Sequence, residues 1–167
     1  MTWIPDRGIL RGRSVRTFDL LGKPCIGAEY VGKGDSHRLL DGARCAACGR
    51  IATNCHHEPP KGMGGGSFKL LHRTEGVLTL RPPLVAVCGD GNVDGCHKRF
   101  HDRDIALQWV WDSDVLAREW AEGRLNPELY GNNPGLYDYG CYKLRLWVPS
   151  RGRYEVRIIR RLNEWIL

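Results

Sequence analysis

Cysteine and histidine are the side chains of this chain best suited to chemistry, and they fall in two blocks. The first holds Cys45-Ala-Ala-Cys48 and then Cys55-His56-His57-Glu58. The second holds Cys88, the pair Cys96-His97, and His101. Between them lie Pro59-Pro60 and the glycines Gly62, Gly64, Gly65 and Gly66, which force a loop. Four cysteines in two pairs can hold one metal ion. Three histidines remain for a second ion, and a fourth is left to accept a proton.

Two residues between Cys45 and Cys48 let a tight turn aim both thiolates at one ion. Cys88 and Cys96 form the second pair. Their spacer, Gly89-Asp-Gly-Asn-Val-Asp-Gly95, departs from the two-residue spacing but has the Gly, Asp and Asn content of a turning loop. The run Leu84-Val-Ala-Val87 before it reads as a buried strand, so Cys88 sits where a strand ends. A structural zinc on Cys45, Cys48, Cys88 and Cys96 is the expectation. Four inert buried cysteines are the alternative, and they leave the flanking turns without a reason. Cys25, Cys55 and Cys141 read as spare thiols that pack.

The elements that position these residues follow from pattern. Thr53 to Glu58 is a short extended run, Leu80 to Val87 a second strand, and His97 to Ala106 a helix. On that helix His97 and His101 are four apart and share one face, so they can bind one ion together. Neighbours on a strand point to opposite sides, so His56 and His57 must have different jobs. His37 and His72 fall outside the motifs and read as surface histidines. The whole reads as an α+β chain in three regions: an arm over 1–40 with two short strands, a core over 41–112, and a tail over 113–167. In the tail, Asp114 to Gly123 reads as a helix with an acidic start and a glycine stop. Asn126 to Gly135 is a loop. Tyr142 to Val148 and Tyr154 to Ile159 form a hairpin around Pro149-Ser-Arg-Gly152.

The net charge of +6 is compatible with a nucleic-acid partner. The excess is concentrated in the hairpin, where Lys143, Arg145, Arg151, Arg153, Arg157, Arg160 and Arg161 face the single acid Glu155. With Trp147 among them, these cations suit phosphate contact with some stacking. Arg7, Arg11, Arg13 and Arg16 of the arm could add to it. The bland reading is that the hairpin packs on the core through Leu144, Leu146, Val156 and Ile158, with its arginines in water. No run approaches the roughly 18 apolar residues of a membrane span, and the N-terminus lacks a secretory pattern. A cytoplasmic location is expected. In a reducing cytosol clustered cysteines are metal ligands more often than disulfides, and seven cysteines is an odd count for a closed disulfide framework.

The segments CAACGR from Cys45, CHHEPPKGMGGGS from Cys55 and LVAVCGDGNVDGCHKRFH from Leu84 occur in an order that resembles the HNH endonuclease family, phage type. The resemblance covers Cys45 to Asp102. It implies a ββα-metal (His-Me finger) core with a zinc-ribbon-like four-cysteine site. It implies that His56, His97 and His101 hold a catalytic ion (Mg²⁺, Mn²⁺, Ni²⁺ or Zn²⁺) and that His57 is the general base for hydrolysis of a DNA phosphodiester. Three imidazoles favour a transition metal on ligand type. If phage-encoded, the chain would act in the cytoplasm of a bacterial host, with DNA as partner and phage packaging or replication proteins as candidate further partners. One such site cuts one strand, so double-strand cutting requires a homodimer or two events. The chain departs from the family at Pro83, where an asparagine usually orients the base. Another group substitutes, or Pro82-Pro83 holds the loop rigidly, or activity is weakened. The last case leaves a zinc-stabilised DNA-binding or adaptor module on the same fold.

Overall fold

The computed structural model describes residues 20–60 and 66–160. The arm arginines Arg7, Arg11, Arg13 and Arg16, the glycines Gly62, Gly64 and Gly65, and Arg161 lie outside the described residues. The chain is a mixed α+β structure built from β1 (Ala28–Tyr30), β2 (His37–Leu39), β3 (Asn54–His57), β4 (Phe68–His72), β5 (Gly76–Leu80), β6 (Leu84–Val87), α1 (Gly95–His101), β7 (Ile105–Trp111), α2 (Asp114–Ala121), β8 (Gly140–Val148) and β9 (Arg153–Ile159). Three antiparallel pairs, β1–β2, β3–β6 and β4–β5, accompany a three-stranded sheet in the order β7-β8-β9. No helix among the described residues is long and apolar enough to cross a membrane.

The central pair is β3–β6, in the register Asn54↔Val87, Cys55↔Ala86, His56↔Val85 and His57↔Leu84. All four residues of β6 are buried, as its unbroken apolar run requires. The chain from Leu20 onward is woven against this pair. Ile26 donates to Leu84 O at 2.8 Å and accepts from Ala86 N at 2.7 Å, which adds a parallel bridge alongside β6. Lys23, only 1% exposed, lays its ammonium 4.0 Å from the Trp120 ring, and Tyr142 Oη donates to Pro24 O at 2.7 Å. One hydrophobic cluster therefore draws on Leu21, Val85, Phe100, Trp109, Trp120 and Tyr142, from all three regions of the sequence.

Several elements differ from the sequence reading. The second strand does not begin at Leu80. Leu80 ends β5, and β6 starts at Leu84, because Pro82-Pro83 cannot donate to a ladder. The hairpin β4–β5, paired from Phe68↔Leu80 to His72↔Gly76, had no counterpart in that reading. The helix expected to reach Ala106 stops at His101. Asp102 caps it, Arg103 takes a left-handed φ of 67°, and the β-branched and aromatic run Ile105-Ala-Leu-Gln-Trp-Val-Trp111 becomes β7. The tail helix starts as expected, with Ser113 Oγ accepting from Leu116 N.

The hairpin β8–β9 also forms where expected, yet its packing is different. Leu144 is buried and pairs with Arg157, while Val156 pairs with Arg145. Cross-strand partners share a face, so Arg157 lies on the inner side and Val156 and Ile158 point outward, 59% and 41% exposed. Ile159 and Tyr142 fill the core in their place.

His72 is a further correction: it is buried, not a surface residue. Its Nε2 donates to Leu125 O at 2.7 Å, and its Nδ1 accepts from the backbone of Thr74 and Glu75 at 3.2 Å each. These bonds tie the β4–β5 turn to the tail. His72→Ala is expected to lower stability by about 2 kcal/mol, the cost of leaving such buried partners unmade. Urea denaturation measures it, and a change below about 0.5 kcal/mol would count against this structural role.

Candidate metal centres

The four cysteines Cys45, Cys48, Cys88 and Cys96 come together with all Sγ atoms within 4.8 Å of one another. Cys48 Sγ and Cys88 Sγ are 3.6 Å apart. That is far longer than a disulfide, about 2.05 Å. It is close to the roughly 3.8 Å between thiolates that share a tetrahedral zinc at about 2.3 Å each. The set could therefore bind zinc.

Local structure explains the convergence. Cys45 N donates to Arg50 O at 2.7 Å and Gly49 N to Cys45 O at 2.9 Å, which closes the turn that presents Cys45 and Cys48. Ala46 N then docks that turn on β6 through Ala86 O at 2.9 Å. From the other side, Arg157 Nη1 donates to Ala46 O at 2.9 Å. The spacer between Cys88 and Cys96 closes on its two end glycines. Gly89 and Gly95 have φ of +91° and +65°, and a Cβ on Gly89 would lie 2.2 Å from Asp94 O. Only glycine allows this loop to bring Cys96 back to Cys88. The Cys45 thiol is held down to about 5, chiefly by its hydrogen bond with Cys96 and against the opposing effect of burial. The same hydrogen bond, with burial, pushes the Cys96 thiol up. A thiolate is thus already favoured at Cys45, and a thiolate is the ligand form.

The second cluster is His56, His97 and His101, whose ligand nitrogens also lie within 4.8 Å of one another. His56 comes from β3 and points inward, 1% exposed, with Phe100 packed on it at 4.9 Å between ring centroids. His97 and His101 come from one face of α1. Ring centroids are 5.2 Å apart for His56–His97, 5.0 Å for His56–His101 and 5.1 Å for His97–His101. Burial, reinforced by the neighbouring His56 and His101, lowers the His97 pKa to about 4. Burial and His56 lower that of His101 as well. Both imidazoles are therefore neutral near pH 7, which is the state that coordinates ions.

His57 follows the alternation of the strand and faces the arm, away from the other three. Its ring stands edge-on to His37 at 5.1 Å and to Tyr30 at 6.2 Å. The proline pair beside it is pinned on both carbonyls: Tyr30 Oη donates to Pro82 O at 2.6 Å, and Glu58 N donates to Pro83 O at 3.1 Å. The Arg81 guanidinium lies over the Tyr30 ring, 3.9 Å from its centroid. His37 is exposed, as a surface histidine should be, but it is also a neighbour of His57.

Sequence reasoning passed over Glu58 and Arg103. Glu58 is 1% exposed, its Oε1 takes Arg103 Nη1 at 3.2 Å, and its Oε2 lies 3.7 Å from His56 Nε2. The signal was present, since Glu58 stands two residues after His56 in an extended run and so shares its side.

The basic hairpin is less open than its sequence implies. Arg157 is tied to the cysteine turn, Arg151 pairs with Glu155, and Arg160 lies 3.6 Å from Asp112. Arg145 stacks over Tyr154 at 4.6 Å. Lys143 and Arg153 have no side-chain partner among the described residues. Lys143 and Arg145 lie on the same outward face as Val156 and Ile158, where Trp147 meets Tyr154 edge-on at 5.1 Å. No family model, curated protein or solved structure matches the chain.

The loop between the two cysteines also touches the histidine cluster, because Gly91 N donates to His97 Nδ1 at 3.1 Å. An ion on Nδ1 takes the lone pair that accepts this bond. An ion on Nε2 forces the proton onto Nδ1, which then cannot accept. Either way, ion binding at His97 breaks the Gly91 hydrogen bond. Titration of Zn²⁺ beyond the cysteine site should therefore shift the Gly91 amide in a ¹⁵N–¹H spectrum. A resonance that stays fixed while the ion binds would show that His97 is not a ligand.

Proposed function

We propose that the chain is a metal-dependent DNA endonuclease of the HNH type. The observation that carries this reading is the division of four histidines. Three converge from a strand and a helix, and the fourth, His57, occupies the opposite side of the same strand. A merely structural metal site has no use for the fourth. On this reading His56, His97 and His101 hold one divalent ion, and Cys45, Cys48, Cys88 and Cys96 hold a structural zinc. The buried, unpartnered Nε2 of His56 supports the ion site, since a buried polar atom without a partner is costly unless something occupies the space beside it.

An ion held by His56, His97 and His101 would supply Lewis acidity for a phosphodiester and its leaving 3′ oxygen. His57 removes a proton from the attacking water, a role suited to an imidazole whose ordinary pKa is about 6.5. Pro82 and Pro83 position His57 through backbone contacts, where the family uses an asparagine side chain. Tyr30 and His37 flank the ring and limit its rotation. The outward face of β8 and β9 contacts DNA, with Lys143 and Arg145 beside the Trp147–Tyr154 pair.

A second reading has one observation in its favour, the proline at the asparagine position. In it the chain is a zinc-stabilised DNA-binding or adaptor module without catalysis.

A supercoiled-plasmid assay with Mg²⁺, Mn²⁺, Ni²⁺ or Zn²⁺ and an EDTA control separates the two. Wild type is expected to nick, and His57→Ala to be slower by about 10²- to 10⁴-fold, the usual contribution of a general base, with DNA binding retained. DNA bound but uncut in every ion would establish the second reading. The Lys143→Ala, Arg145→Ala double variant is expected to weaken DNA binding for all sequences. It should also reduce the slope of log K against log salt by about 2, one unit for each lost phosphate contact. An unchanged slope would move the DNA elsewhere.

A further inference from the structure

The β1–β2 hairpin meets His57 with its stem and borders a cleft with its tip. The last pair of the stem, Tyr30↔His37, flanks the His57 ring. Beyond that pair the turn closes, with Val31 N donating to Ser36 O at 2.7 Å and His37 Nδ1 donating to Asp35 O at 2.8 Å. The tip, Gly32-Lys-Gly-Asp35, lines an open cleft of about 540 Å³ together with Arg81 and with Ser67 and Thr79 from the β4–β5 side. That volume lies within the range of about 300–1,000 Å³ of ligand sites. Among the described residues Pro82 is the one apolar side chain in the lining. Such a cleft suits a charged, hydrated group and not an apolar one.

Two cations line it, and neither has a carboxylate partner among the described residues. Arg81 is held at two points. Its Nη1 donates to Gly34 O at 2.8 Å, and its guanidinium lies over the Tyr30 ring. A guanidinium fixed in this way keeps further N–H groups for an anion, in a planar array that matches phosphate oxygens. Lys33 is exposed at the hairpin tip. Asp35 is the one acid in the lining, so the two cations leave positive charge in excess. Gly32 and Gly34 have φ of +69° and +83°, and a Cβ on either would meet nothing beyond its chain neighbours within 4 Å. Bare backbone therefore borders open space, which lets a ligand come close.

The cleft and His57 share the Tyr30 ring. The guanidinium is 3.9 Å from its centroid and the His57 ring 6.2 Å. Nucleotides advance about 3.4 Å each along a strand, so these two legs span at most about three nucleotides.

We propose that this cleft binds a phosphate of the nucleic-acid strand, within about three nucleotides of the scissile bond, through Arg81 and Lys33. This rests on the reading that His57 is the base of a DNA endonuclease. Arg81 and Lys33 are positioning residues. One anchored phosphate fixes the register of the strand, and the hairpin stem then sets the following phosphates against His57. The hairpin tip precedes Cys45, so this contact belongs to a part of the chain that the family resemblance does not cover.

Two measurements on the full chain test this, and the first needs no cleavage. Octathymidylate is titrated into ¹⁵N-labelled protein with no divalent ion added. The Gly32 and Gly34 amides and the Arg81 Nε–H are expected to shift together along one saturation curve. Inorganic phosphate at the same concentrations is the control for a free anion. Shifts confined to other parts of the chain, or equal shifts with inorganic phosphate, overturn the proposal. The second measurement uses Lys33→Ala, a change at an exposed tip. The slope of log K against log salt for octathymidylate is expected to fall by about 0.7, one phosphate contact on a single strand. The KM for plasmid nicking is expected to rise with kcat held, as loss of uniform binding requires. An unchanged slope, or a fall in kcat with KM held, overturns the positioning role. The two readings fail separately. Nicking without shifts at Gly32 and Gly34 removes the cleft and leaves the endonuclease. Shifts without nicking in any ion remove the endonuclease and leave the cleft as a strand-binding site.

Discussion

Cys96 and His97 are neighbours in the chain and belong to different clusters, and most of the structure depends on that junction. The loop from Cys88 must turn back within seven residues to bring Cys96 beside it, which only the close approach of Gly89 and Gly95 allows. Once Cys96 is fixed, the first turn of α1 is fixed too. His97 N bonds Cys88 O at 3.0 Å, so the helix starts at the end of β6 and runs alongside it. His97 and His101 then face the inward side of β3, where the β3–β6 register has placed His56. The cysteine cluster is a hinge pin for the histidine cluster. Loosening it displaces two of the three imidazoles while leaving the third on its strand.

How much of this was legible in the sequence depended on whether a signal was local. Cys45 with Cys48, the helical spacing of His97 and His101, and the opposed directions of His56 and His57 are short-range facts that follow from turn, helix and strand geometry. The α2 start at Ser113 and the β8–β9 turn have local signatures as well. What failed was decided at long range. The run after His101 carries residues acceptable to a helix or a strand, and only pairing with β8 settles it as β7. Phe68 to Leu80 gave no turn signal beyond Gly76, so β4–β5 went unseen. The packing of β9 went wrong because two apolar stripes compete there. Tyr154, Val156 and Ile158 form the more conspicuous one, yet the partner strand puts Arg157 and Ile159 inward. A one-residue choice of face reverses every side chain of a strand.

Arg157 shows the consequence for charge. In the sequence it is one of seven cations in a basic run. In the structure it is a tether between the tail sheet and Ala46 in the cysteine turn. A charge run thus overstates the surface available to a polyanion, since some of its members are spent on internal contacts. The outward face keeps Lys143 and Arg145, next to the apolar and aromatic side chains that the register excluded from the core.

Local rules are obeyed through most of the described residues, and several departures from them collect around His56. Around His56 the structure buries a carboxylate with one oxygen unsatisfied, holds neighbouring imidazoles below their ordinary pKa, and places Arg103 in a left-handed conformation. Each of these is unfavourable by itself. A folding core gains nothing from them, since an apolar side chain at position 58 would satisfy the same cavity. Their coincidence within one cluster is what separates a site from a core: sequences that fold well are locally consistent, and the exceptions collect where something else is being served. The cysteine cluster differs in this respect. Its turns close on backbone hydrogen bonds, and the left-handed φ values of its loop fall on Gly89 and Gly95, where they carry no strain.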